Sequence, residues 1–127
     1  MRTVSLIAIA LLTLALFILE LYGMHLYLFW TYWWFDILMH ALGGFIVGAL
    51  AVWFFIFEYP IHSARLLFYS VLVALVVGIV WEIFEYVTGI SVNQAQQSYA
   101  ADTIGDIGMD VAGSLTAYLV FRLFIHE

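Results

Sequence analysis

The stretch that decides the fold runs from Gly78 to Gly113: G-I-V-W-E-I-F-E-Y-V-T-G at 78–89, a charge-free segment, then A-D-T-I-G-D-I-G-M-D-V-A-G at 101–113. It reads as the end of one hydrophobic helix and the start of the next, with Glu82, Glu85, Asp102, Asp106 and Asp110 at helical spacing. A carboxylate at the centre of a spanning helix costs about 2.5 to 3.5 kcal/mol on insertion scales, and less near the interface. Two of them about 5 Å apart repel by roughly 3 kcal/mol at an effective dielectric of about 20. A facing set of such acids must take up protons, bind cations or meet water.

The surrounding chain is that of an integral membrane protein. Of its 127 residues, 67% are hydrophobic and 9% charged, and the apolar ones fall in long unbroken runs. There is no cysteine, which removes disulfides, thiolate metal sites and cysteine nucleophiles together. With three Lys and Arg in all, a nucleic-acid footprint is excluded. The net charge of -6 does not describe an acidic surface, because most acids lie in or beside the apolar runs.

Upstream, Val4 to Leu21 is an apolar run of 18 residues, enough at about 1.5 Å per residue to cross most of a roughly 30 Å hydrocarbon core. A secretory signal peptide is the competing reading, but no small-x-small cleavage site follows the run, so it is taken as the first span. Tyr22 to Phe35 is aromatic and reads as an interfacial connector. Asp36 opens the second span, 37–57, which carries His40 and the close-approach pair Gly44 and Gly48, with Trp53 and Tyr59 expected to anchor its far end. Pro60 stops it.

The third span, 66–90, aligns Ala74, Gly78, Glu82, Glu85 and Gly89 on one stripe. After an uncharged loop at 91–101, Asp102, Asp106, Asp110, Gly113 and Ala117 form a second stripe leading the fourth span, 107–125. No repeat or linker interrupts the chain, so residues 1–127 read as one all-α transmembrane domain, a four-helix bundle. Four crossings place Arg2, Arg65 and Arg122 on one side, which the positive-inside rule makes cytoplasmic, with both termini. The expected setting is a prokaryotic cytoplasmic membrane. Most of the acids then gather in the outer half.

Asp36 with His40, Glu82 with Glu85, and Asp106 with Asp110 each project from one helix face. Carboxylates with one imidazole suit a hard or borderline divalent ion such as Mg²⁺, Mn²⁺, Fe²⁺, Zn²⁺ or Ca²⁺, and there are enough donors for two. The candidate metal ligands are Asp36, His40, Glu82, Glu85, Asp102, Asp106 and Asp110, although Asp102 is also placed to cap the fourth helix. Glu20 is a helix-end acid at the margin of this set. Three functions are weighed: a metal-dependent hydrolase or transferase acting on an envelope lipid, a cation or proton transporter, and a non-catalytic membrane subunit. No serine sits beside a plausible base at a sharp elbow, so a Ser-His-Asp triad is not expected. Membrane lipid is the expected partner, and the small-residue helix faces also suit a homo-oligomer.

The motifs D-I-L-M-H-A-L-G-G at 36–44, W-E-I-F-E-Y at 81–86 and D-T-I-G-D at 102–106 resemble the D-x-x-x-H, E-x-x-E and D-T-x-x-D pattern of YjdF-type small inner-membrane proteins, and more distantly VanZ-like proteins. The resemblance implies a shared site at Asp36, His40, Glu82, Glu85, Asp102 and Asp106. It names no chemistry.

Overall fold

The computed structural model describes residues 2–89 and 98–125, and among these, four helices have membrane-crossing length. They are α1 (Arg2–His25), α3 (Trp33–Phe57), α4 (Ser63–Thr88) and α5 (Tyr99–Ile125), with a single-turn helix α2 (Leu28–Thr31) between the first two. All four long helices are apolar enough to span a bilayer. The expected uncharged loop at 91–101 falls largely outside the described residues.

The centre of the bundle is the pairing of α3 with α5, with α4 against both. Small residues make this approach possible. A β-carbon at Gly44 would collide with the backbone of Asp110, and one at Gly48 would lie 2.5 Å from the Cα of Ser114, so the predicted close-approach pair meets α5. Beyond these glycines lies an apolar plug of Val52, Leu66 and Tyr118. Arg122 stacks on Tyr118, its guanidinium 5.9 Å from the ring centroid.

The first helix is held differently. It lies along α3, and among the described residues none of its Cα atoms comes within 8 Å of one in α4. Both of its ends are fastened. At one, Arg2 pairs with Glu58 and the indole of Trp53 donates to the Arg2 carbonyl at 3.0 Å. At the other, Gly23 leaves room for the rings of Phe29 and Phe35, which meet edge to face at 4.8 Å.

Two expectations about aromatic residues change here. Trp53 is buried rather than an interfacial anchor, because its N–H finds an acceptor in α1 and its ring packs with Ile9, Ala49 and Ala117. The 22–35 connector is largely helical: α1 continues to His25, and Tyr27, with φ 57°, turns the chain into α2. Within it Phe29 and Phe35 are buried, whereas Tyr27, Trp30, Trp33 and Trp34 point outward, as rings at headgroup level do.

Candidate metal centre

His40 stands at the middle of the acidic cluster. Its Nδ1 lies 3.4 Å from Oδ2 of Asp110, and its Nε2 lies 3.8 Å from Oε1 of Glu82 and 3.9 Å from Oδ1 of Asp36. Asp36 reaches it from one turn earlier on α3, Glu82 from α4 and Asp110 from α5. When Nδ1–H donates to Asp110, Nε2 keeps its lone pair on the side where the other carboxylates converge.

Each acid is placed by a local device. Gly78 leaves space on α4 for the Asp110 carboxylate, which a β-carbon would strike, and Gly44 leaves space on α3 for the Asp110 backbone. The Thr103 hydroxyl donates to Oε2 of Glu82 at 2.7 Å, and the Trp81 indole donates to Oε1 of Glu85 at 2.7 Å. Gly89, with φ 71°, closes α4 and donates its N–H to the Glu85 carbonyl at 2.9 Å. The Tyr99 hydroxyl approaches the Glu82 carbonyl at 3.4 Å.

Ionisable donors converge in two overlapping groups. Asp36, His40 and Asp106 offer ligand atoms within 4.8 Å of one another, and so do His40, Glu82 and Glu85. An ion with ligand bonds of about 2.1 Å holds its donors no more than about 4.2 Å apart, so modest side-chain rotation closes either group around one. Glu82 is 5% exposed, and its Oε1 is buried without a hydrogen-bond partner among the described residues. A buried acceptor left in that condition costs about 1 to 3 kcal/mol, and more when charged. An unpaired oxygen aimed at a ring nitrogen and at other carboxylates is the arrangement a cation satisfies.

The remaining predicted ligands sit differently. Asp110 belongs to neither group and faces His40 Nδ1. Asp102 also lies outside both, in the first turn of α5, half-buried. It is not the helix cap. Ser98 takes that part, with its hydroxyl accepting from the Ala101 N–H at 3.3 Å. Glu20, from α1, lines the same cavity as Asp36, His40, Glu85 and Asp110. Sequence reasoning gave no part to Thr103 or Trp81, although both stand inside quoted motifs.

A family model described as a predicted membrane protein, DUF2238, matches residues 2–127. The chain belongs to the DUF2238 family. This is the family of the YjdF-type proteins, so the first of the two resemblances is met. The DUF2238 match spans all four long helices and every acid of the cluster. Comparisons with curated proteins and with solved structures found no match.

Proposed function

We propose that this DUF2238 protein binds a divalent cation between α3, α4 and α5 in the outer half of the cytoplasmic membrane of a prokaryote, with both termini inside. The observation that carries the proposal is Oε1 of Glu82, buried without a hydrogen-bond partner among the described residues and directed at His40 among carboxylates from three helices. Asp36, His40, Glu82, Glu85 and Asp106 are the ligands of this reading, gathered around one ion held by His40 Nε2. Asp110 then acts through the imidazole, fixing its tautomer and ring plane as carboxylates commonly do behind a metal-bound histidine. Thr103 and Trp81 orient Glu82 and Glu85 in the same way. Asp102, outside both donor groups, has no ligand role in this reading.

The reaction class that suits such a site is hydrolysis or group transfer on an envelope lipid. A bound divalent ion supplies Lewis acidity and a water of lowered pKa. The chain's own contribution is to position that chemistry: His40 and Asp110 fix one coordination direction, and a carboxylate outside the ligand set accepts a proton. A transporter is the second reading. Its route would have to pass the packed Val52, Leu66 and Tyr118 between the acids and the arginine end, which speaks against it.

Mn²⁺ titration of the purified protein, followed by electron paramagnetic resonance, tests the binding. The expected result is saturable binding in the wild type and its loss in His40→Ala. Equal binding in the two overturns the proposal.

A further inference from the structure

The gap between α1 and α4 is more than a place where two helices fail to meet. It is a cavity of about 290 Å³, floored by α3 and walled by Leu16 and Phe17 on one side and Ala74 and Val77 on the other. Thr13, Met39 and Val47 also line it, and Asp36, His40 and Glu85 stand at its polar end. A small volume with mostly apolar walls and a few converging polar groups is the pattern of a ligand pocket.

The setting selects the ligand. α1 is fastened to α3 near Trp53 and again near Phe35 and stands clear of α4, which leaves the space between them as a slot. The walls on either side carry the apolar surface of membrane-crossing helices, so the medium at the slot's mouth is hydrocarbon. The chemistry that suits sideways entry from such a medium is that of a hydrocarbon chain. Charge specifies the other end of that molecule. The polar end holds Glu20, Asp36, His40, Glu85 and Asp110 and no Arg or Lys. Arg2 is tied to Glu58 at the other end of the bundle, and Arg122 lies beside Tyr118 there. An anionic headgroup is repelled by bare carboxylates and attracted once a divalent ion sits among them.

We infer that the slot between α1 and α4 admits one hydrocarbon chain of a phosphate-headed membrane lipid and delivers its headgroup to the cation site. This rests on the metal reading above and deepens it. The lipid binds through the ion, so its binding depends on metal, whereas metal binding does not depend on the lipid.

Gly43 provides the test. It lines the slot, and a β-carbon there meets nothing within 4 Å, so the side chain of Gly43→Leu starts into open space and is expected to fill the cavity from its floor. Thr13→Phe fills it from the opposite wall, on the most exposed helix. The protein is reconstituted in nanodiscs containing phosphatidic acid with a diazirine at mid-chain, with Mn²⁺ or with chelator, and cross-links are mapped by mass spectrometry. The expected result is Mn²⁺-dependent labelling of residues 13–17 and 74–77, reduced at least severalfold in both variants while Mn²⁺ binding is retained. Diacylglycerol bearing the same diazirine, which has no phosphate, is expected to show no such dependence. Normal Mn²⁺ binding with labelling spread evenly over the lipid-facing helices overturns the lipid inference alone. So does a second copy of the chain seated in the slot and cross-linked there. Failure of the wild type to bind Mn²⁺ overturns both readings.

Discussion

Thr103 gives its hydroxyl proton to Oε2 of Glu82 across 2.7 Å, and this contact between α5 and α4 turns Oε1, buried and unpartnered among the described residues, toward His40. The acid is thus held by one oxygen and offered by the other. Thr103→Val keeps the volume and removes the donor. Mn²⁺ affinity is expected to fall by about 10- to 100-fold, the usual cost of losing a group that orients a metal ligand. Thr103→Ser should restore most of it, and a titration of the three proteins side by side checks the order.

Asp110 and Asp106, one turn apart on α5, should answer differently to loss of charge. Asp106 shares a donor group with Asp36 and His40, whereas Asp110 faces His40 Nδ1. Asp106→Asn is therefore expected to weaken metal more than Asp110→Asn, which keeps an acceptor oxygen for Nδ1–H. Equal losses measured by the same titration would place Asp110 on the ion itself.

Adjacent glycines on α3 should behave in opposite ways. Gly44→Ala forces a β-carbon into the Asp110 backbone and is expected to destabilise by about 1 to 3 kcal/mol, as overpacking does. Gly43→Ala meets nothing and is expected to be neutral or stabilising by up to about 1 kcal/mol through helix propensity. Thermal unfolding of both variants in detergent separates them.

The tie between Arg2 and Glu58 is exposed, with side chains 58% and 36% accessible. Glu58→Gln is expected to change stability by less than about 1 kcal/mol, in line with surface ion pairs generally. Trp53→Phe, which removes the buried indole donor to Arg2, should cost about 1 kcal/mol. Denaturation curves of the two single variants test which tie holds α1.

Since the chain has no cysteine, topology is open to single-cysteine labelling. His62→Cys, exposed before α4, should react with a membrane-impermeant thiol reagent only from the cytoplasmic side. Tyr27→Cys, exposed at the turn after α1, should react only from outside. The reverse pattern would invert the orientation.

Much of this arrangement is written locally. The acids at steps of three and four on α4 and α5, and the glycines of α3 that face Asp110 and Ser114, follow from helical period and residue size. Which acid meets which donor is not local. The Thr103 contact depends on how α4 and α5 rotate against each other, and the inward turn of Trp53 depends on an Arg2 carbonyl 51 positions away. The slot beside α1 is hidden for a different reason. In a membrane protein the residues facing lipid and those lining an apolar cleft are chemically alike, so Leu16, Phe17 and Val77 carry no mark in the sequence of the gap they enclose.

Elemental analysis of the purified wild type beside Glu82→Gln and Asp106→Asn bears most directly on the shared cation. Stoichiometric divalent metal in the wild type and a marked loss in both variants is the predicted result. Metal far below stoichiometry and unchanged across the three proteins would contradict it.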